Sequence, residues 1–328
     1  MTGNTLGWVI VAFVLYLLMM IAIGAFYAKG NNNSEDYFLG GRKLNGFVAA
    51  LSAQASDMSG WLLMGLPGAI YLTGVGGDGW IAIGLFIGTT LNWLFIATKL
   101  RRYTIRANNS VTLPTYFENR FHDEKKVLMA VSSITIVVFF LVYCASALSA
   151  GGQLFESVFG IDYHVALTIG ALVVLVYTFL GGFTAVCVTD FIQGMLMLVG
   201  ILAVPLFAYH FLTTGGTTLS AGLEASGADS ANFLNLMKNG DGSNNIVSVI
   251  SGLGWGLGYF GMPHILVRFM AVRDEKEMTK SKATAISWVA LSLGFAVFIG
   301  TLGRAYLPEL VNGNNEKVFI EMIKKVFT

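Results

Sequence analysis

The 328-residue chain is strongly apolar, with 55% hydrophobic and only 12% charged residues and a mean hydropathy of +0.68. Soluble domains carry about 25% charged residues, so this chain has too little polar surface for a soluble globular protein. Its net charge of +1 hides an uneven distribution of basic residues. Together these features predict an integral membrane protein.

Apolar runs of about 20 residues are long enough to cross the ~30 Å hydrocarbon layer as helices. Eight such runs predict helices A (Trp8–Tyr27), B (Gly46–Tyr71), C (Trp80–Leu100), D (Val127–Ala147), E (His164–Leu180), F (Phe191–Phe211), G (Ile246–Met270) and H (Ala283–Tyr306). Helix A is expected to remain in the mature protein, because no Lys or Arg precedes it and no Ala-x-Ala motif follows it.

Basic residues concentrate in alternate connections. With their adjoining helix ends, the A–B, C–D and G–H connections hold 15 of the 20 Lys and Arg residues, whereas B–C, D–E and F–G together hold one, Lys238. Cytoplasmic loops are enriched in Lys and Arg, so the A–B, C–D and G–H connections are predicted to be cytoplasmic. The N-terminus and the segment 307–328 are then predicted to lie outside the cytoplasm.

Helix B is interrupted by a polar stretch from Gln54 to Ser59. At 1.5 Å per residue, Asp57 lies about 16 Å from Gly46 along the helix, near the membrane midplane, and it is interpreted as the only carboxylate at that depth. An ionised Asp there costs about 2.5–3.5 kcal/mol, so we expect Asp57 to have a cation or other partner. The alternative is a neutral carboxyl group that caps the break.

Helix G is interrupted by glycines and a proline, which weaken helix continuity. Trp255, Tyr259 and Pro263 recur every four residues, so they are predicted to share one stripe. Two broken helices that cross in opposite directions are typical of inverted-repeat transporters, whose substrate site lies at the midplane. Binding is therefore predicted between helices B and G. The glycines are Gly252, Gly254, Gly256, Gly258 and Gly261.

Six segments carry a resemblance to a known family: Asp36–Arg42, Ala50–Ala53, Ala55–Gly68, Tyr143–Ser146, Gly254–Gly261 and Pro263–Ile265. Over essentially its whole length the chain resembles the solute:sodium symporter family, and within it the proline-transporting members. The resemblance implies an all-α polytopic bundle with the LeuT-like inverted-repeat fold, as one transmembrane domain over residues 1–328. Helix A would precede a first five-helix repeat at 46–211, and 246–306 would begin a second repeat whose remaining helices are expected beyond the end of this chain.

The resemblance also implies roles for individual residues. The carbonyl groups of Ala55 and Met58 would bind sodium, supported by Asp57, Ser59 and Gly60, while hydroxyl ligands are expected beyond the end of this chain. The residues implied for substrate binding are Trp255, Tyr259 and Pro263, with Tyr143 and Cys144 nearby. Arg42 and Asp190 are implied in gating or coupling.

Simpler interpretations exist for several of these residues. Tyr143 and Cys144 could only pack, and Arg42 could be a positive-inside anchor. Asp190, Arg268 and Arg304 are interpreted as helix-end charges that reach water. Gly84-x-x-x-Gly88 is interpreted as ordinary helix packing. The two cysteines and four histidines show no metal-ligand or disulfide spacing.

Sodium-driven symport of L-proline in the cell membrane is the favoured function, with sodium as coupling ion, no other cofactor, membrane lipid around the protein and no nucleic-acid partner. Another small solute, such as a different amino acid, pantothenate or a sugar, is the alternative within the family. A membrane enzyme using Asp57 as acid or base is disfavoured, because no His, Lys or second carboxylate is predicted at its depth. A transporter-like sensor or channel module stays open.

Overall fold

A computed structural model describes residues 3–327, and these residues form helices and connecting loops without any β-strand, apart from two isolated bridges. The α-helices in chain order are α1 (Gly3–Ala28), α2 (Ser34–Leu39), α3 (Gly46–Met58), α4 (Gly65–Thr73), α5 (Val75–Leu91), α6 (Thr98–Arg106), α7 (Leu113–Phe121), α8 (Val127–Phe159), α9 (Tyr163–Thr214), α10 (Leu219–Ala225), α11 (Ser230–Phe233), α12 (Ile246–Trp255), α13 (Pro263–Ala271), α14 (Glu275–Tyr306) and α15 (Val318–Phe327).

Within residues 3–327, five helical stretches are long and apolar enough to cross a membrane, or six if the broken pair α12 and α13 is counted as one span. Helices A, D and H correspond to α1, α8 and α14, and helix C to α5 and α6 joined by a π-helix at Asn92–Ala97. The predicted helices E and F form the 52-residue α9, which is interrupted only by the non-helical backbone of Gly182 (φ 60°, ψ −157°). Helix F therefore begins eight residues earlier than predicted.

The predicted break in helix B is confirmed. Helix α3 ends at Met58, a short 3₁₀ turn spans Gly60–Leu62, and α4 follows. Between them Ser59 has φ 45° and ψ −156°, a conformation that few residues other than glycine adopt. The chain therefore stops its α-helix within the polar stretch.

The break in helix G is also confirmed, but the continuous stripe is wrong. After α12, residues Gly256–Phe260 wind as a 3₁₀-helix, and Met262 is extended (φ −74°, ψ 108°) before α13 begins at Pro263. Pro263 can start a helix because the first helical position needs no N–H donor. Since the α-helix stops at Trp255, the four-residue spacing no longer places Trp255, Tyr259 and Pro263 on one helix face.

The chain divides into two compact units. The first contains Met1–Asp57, Leu94–Gln193 and Met262–Thr284, and the second contains Met58–Trp93, Gly194–Gly261 and Ala285–Thr328. Two of the unit boundaries, at Asp57–Met58 and Gly261–Met262, coincide with the breaks in helices B and G.

Within the second unit, α5 packs directly on α12 through glycines. A Cβ atom at Gly84 would lie 2.2 Å from the carbonyl oxygen of Gly252, and one at Gly88 would lie 2.2 Å from that of Gly256. Only glycine fits such backbone contacts, as in other small-residue crossings in membranes. The packing interpretation of Gly84-x-x-x-Gly88 is confirmed.

Candidate functional site

The carbonyl end of α3 supplies the first part of the site. The last four carbonyl groups of a helix have no partner within it, and Tyr143 of α8 shares its one hydroxyl hydrogen between two of them. Its hydroxyl donates to the carbonyl oxygens of Ser56 (3.0 Å) and Asp57 (3.4 Å). Among residues 3–327, no hydrogen bond from outside α3 reaches the carbonyl of Ala55 or Met58. These two oxygens suit a hard cation such as sodium, which binds to free carbonyls of unwound helices.

Asp57 lies beside His264, which was not predicted to be its neighbour. Its Oδ1 is 3.6 Å from Nε2 of His264, and only 7% of the Asp57 side chain is exposed. The imidazole stacks on the Tyr143 ring, with centroids 5.4 Å apart, and within the described chain its two nitrogens make no hydrogen bond. The prediction that no histidine shares the depth of Asp57 was therefore wrong.

One helical turn after His264, Arg268 of α13 forms a buried ion pair with Asp190 in the first unit. Its Nη2 donates to Oδ2 of Asp190 at 2.9 Å. The same carboxylate oxygen accepts from the hydroxyls of Ser52 (2.7 Å) and Ser56 (3.0 Å) on α3. Arg268 in turn donates to Ser52 Oγ (2.9 Å) and Ser56 Oγ (2.8 Å). This Asp190–Arg268 cluster joins α3, α9 and α13 through charge-assisted hydrogen bonds.

The interpretation of these two charges as solvated helix ends was wrong. Asp190 and Arg268 are both buried, and Asp190 lies two turns inside its helix because the arm after Gly182 starts at Phe183. Asp57 is thus not the only carboxylate near the break in helix B. Arg304 is half-buried in the second unit, where its guanidinium lies 5.4 Å from the Tyr71 ring centroid.

Arg42 is buried rather than anchored in lipid headgroups. Its guanidinium donates to the carbonyls of Met270 and Ser110, both at 2.8 Å, and lies 3.5 Å from Glu35. Burial lowers the pKa of Arg42 from its ordinary value, while the Glu35 carboxylate opposes that shift. The guanidinium stays charged and ties the A–B connection to the end of α13.

Glu277 caps the first residue of helix B, at the end opposite the break. Its Oε2 accepts from the Gly46 N–H at 2.7 Å, and Ser281 Oγ donates to the Gly46 carbonyl at 2.9 Å. Leu44 forms a backbone bridge to Val272. A carboxylate at a helix N-terminus satisfies a free N–H and complements the helix dipole. Glu277 therefore fixes α3 to the beginning of α14.

The second unit contains a pair of stacked aromatic side chains. Trp61 and Trp255 stack, with ring centroids 5.7 Å apart and planes at 21°. Trp255 is 49% exposed, whereas Tyr259 is only 3% exposed. Ser59 and Gly60 belong to the break that precedes Trp61. Trp61 is half-buried, so Trp255 presents the exposed face of the stack, which can pack against an apolar ring.

Pro263 and Cys144 are the remaining residues predicted for the solute site. Pro263 starts α13 in the first unit, and Cys144 is exposed on α8. Trp61, His264 and Arg268 were not predicted as site residues, although an ionisable residue inside an apolar run, such as Arg268, is a signal for function in membranes. No group of three or more His, Cys, Asp and Glu residues suited to a metal occurs in the part of the chain described.

Comparison with known proteins supports the resemblance. The model of the "Sodium:solute symporter family" matches residues 37–328. The chain is 45% identical over 324 residues to a sodium/proline symporter of Salmonella typhimurium and 44% identical to one of Escherichia coli, in each case over 97% of this chain and 63% of the relative. A relative of the same name from Staphylococcus aureus is 42% identical over 97% of this chain and 60% of its own length.

A solved structure shows the fold. The substrate-bound, outward-open structure of a Na⁺-coupled sialic acid symporter superimposes with a TM-score of 0.75 at 20% identity, covering 94% of this chain and 64% of that one. The predicted LeuT-like helical fold is thereby confirmed. The chain spans about 63% of the length of the first curated relatives. Because the family model covers most of the chain, the chain belongs to the sodium:solute symporter family.

Proposed function

We propose that the protein carries L-proline into the cell together with sodium. The observation that carries the proposal is the break after Met58, which leaves carbonyl oxygens without outside donors beside the buried carboxylate of Asp57. Proline as the solute is supported by the sodium/proline symporters at 42–45% identity. The family is one of transporters, so transport rather than catalysis is proposed.

In this mechanism the carbonyls of Ala55 and Met58 bind sodium, with Asp57, Ser59 and Gly60 supporting the ion. Oxygen ligands at the end of a broken helix suit this cation, because the negative end of the helix dipole points at it. Tyr143 supports the assignment, since its hydroxyl donates to the two neighbouring carbonyls and leaves those of Ala55 and Met58.

For the solute, the proposed contacts are Trp255, Tyr259 and Pro263, with Tyr143 and Cys144 nearby. Stacked Trp61 and Trp255 offer an apolar face for a pyrrolidine ring, which supports adding Trp61 to this group. Arg42 and Asp190 are proposed to act in gating and coupling. Their buried hydrogen-bond networks support that role, because such networks must rearrange when an inner gate opens.

The same proposal places the N-terminus and residues 307–328 outside the cell, with residues 46–211 as a first repeat and 246–306 beginning a second. The basic connections A–B, C–D and G–H support this orientation. Labelling of a cysteine introduced before α1 by a membrane-impermeant maleimide in intact cells tests it. Labelling only after the membrane is opened would reverse the orientation.

The transport test is uptake of labelled proline by the full-length protein, reconstituted in proteoliposomes with an imposed sodium gradient and potential. One charge moving through 100 mV releases about 2.3 kcal/mol, enough for roughly 50-fold accumulation. An equal potassium gradient should drive no accumulation. Competition by other amino acids, pantothenate and sugars identifies the solute, and stronger competition by one of them than by unlabelled proline would replace proline in the proposal.

A further inference from the structure

Helix C changes its winding at a buried polar residue in the second unit. The π-helix Asn92–Ala97 interrupts the helical run between α5 and α6, and π-bulges of this kind are frequent at functional sites. Asn92 is 1% exposed, and its position between Trp80 and Leu100 places it near the middle of the predicted span. A buried amide at this depth is expected to form a hydrogen bond.

The contact of Asn92 supplies one. Its Nδ2 donates to the carbonyl oxygen of Tyr259 at 2.7 Å, and a carbonyl only accepts, so this side of the amide must be the NH₂ group. In a continuous α-helix that carbonyl would accept from residue 263, but Pro263 has no N–H. Asn92 therefore provides the donor that proline removes. An unsatisfied carbonyl at bilayer depth is strongly unfavourable.

The other half of the amide shows that Asn92 does not serve general packing. Its Oδ1 has no hydrogen-bond partner in the described part of the chain, which is unfavourable for a buried polar atom. An apolar side chain at this position would avoid that cost. The use of asparagine is explained by its one strong hydrogen bond, to Tyr259.

Close backbone packing makes the contact possible. Gly88, one turn before Asn92, lies against the backbone of Gly256, and a Cβ atom at Gly88 would be 2.2 Å from the Gly256 carbonyl oxygen. The short amide of Asn92 can therefore reach the 3₁₀ segment Gly256–Phe260 of helix G. This segment follows Trp255 and contains Tyr259.

We propose that Asn92 is a positioning residue for the solute: by holding the Tyr259 carbonyl it fixes the 3₁₀ segment and hence the rings of Trp255 and Tyr259. This inference rests on the proposed function. Helix C thus becomes a third element of the solute site, beside the two broken helices. It acts through helix G and need not touch the solute itself.

The test compares Asn92→Leu and Asn92→Ala with Asn245→Leu. Asn245 is a matched control, because its buried amide also donates to backbone carbonyls, those of Gly76 and Leu236, both at 2.8 Å. Both Asn92 variants should raise the KM for proline about tenfold, which corresponds to about 1.4 kcal/mol. The sodium concentration for half-maximal uptake should change less than about twofold. The hydrogen bond of Asn92 goes to helix G, whereas the proposed sodium ligands belong to helix B. Asn245→Leu should lower the amount of folded protein while leaving both constants unchanged.

Hydrogen exchange of the purified protein gives a readout that does not need transport. Amides of residues 256–262 should exchange faster in both Asn92 variants than in the unchanged protein and the control. A normal proline KM in Asn92→Leu, or unaltered exchange in this segment, would overturn the inference while leaving proline symport intact. Failure of the unchanged full-length protein to take up proline would instead overturn the proposed function and the inference with it.

Discussion

The Asp190–Arg268 cluster allows the strongest stability prediction. One carboxylate oxygen of Asp190 accepts three hydrogen bonds, from Ser52, Ser56 and Arg268, at 2.7–3.0 Å. In Arg268→Met the carboxylate keeps only the two hydroxyl donors and its buried charge loses its counter-ion. Removal of one partner from a buried pair costs about 3–5 kcal/mol, so we expect a loss of this size in the free energy of unfolding.

An exposed ion pair in the same unit is the control. Arg102 and Glu275 are 2.6 Å apart, but their side chains are 51% and 55% exposed. Water and salt screen pairs in such positions, and they contribute little to stability, so Arg102→Met should be nearly neutral. The free energy of unfolding is measured by titrating the purified proteins with SDS in mixed micelles, monitored by tryptophan fluorescence.

A double variant separates the pair from its surroundings. Asp190→Asn removes the stranded charge, so combining it with Arg268→Met should restore part of the stability, with a coupling energy of about 1–3 kcal/mol. If Arg268→Met destabilises no more than Arg102→Met, or if the single losses simply add, the ion pair does not hold α3, α9 and α13 together as argued.

Three further outcomes are expected, two in uptake assays and one in hydrogen exchange. Asp57→Asn should raise the sodium concentration for half-maximal uptake about tenfold, since it removes the charge and keeps the shape; an unchanged sodium requirement would remove the cation role. Trp255→Ala and Tyr259→Ala should raise the proline KM more than the sodium requirement, and equal losses would indicate general misfolding. Glu277→Gln should weaken the cap on α3, because it removes the negative charge at the helix N-terminus, seen as faster hydrogen exchange at residues 46–50, whereas Glu275→Gln should leave that segment unchanged.

The two helix breaks could be predicted because their causes are local. A run of Ser, Asp and Gly residues, or a series of glycines ending in proline, disfavours an α-helix whatever packs around it. The structure accordingly stops α3 at Met58 and α12 at Trp255. The charge distribution among the loops is equally local, which is why an orientation could be predicted at all.

The partners of the charged groups could not be predicted in this way. Asp190 and Arg268 are 78 positions apart, and each lay near the predicted end of an apolar run, where solvation is the simpler explanation. The error began at Gly182: helix E was predicted to end at Leu180 with a connection up to Phe191, but the helix resumes directly after Gly182. Helix F was therefore started eight residues late, and Asp190 was placed at a helix end. His264 was missed beside Asp57 for a similar reason, because its position follows from how α13 packs and not from spacing.

Tyr259 shows where local reasoning ends in this fold. The sequence alone shows that Pro263 leaves the Tyr259 carbonyl without its helical donor, and that a membrane interior requires another donor to replace it. It does not show which residue supplies that donor. The structure finds it 167 positions earlier, in Asn92, where close glycine packing lets two backbones approach. A broken membrane helix can thus be recognised from its own sequence, but the group that makes the break stable belongs to a neighbouring helix.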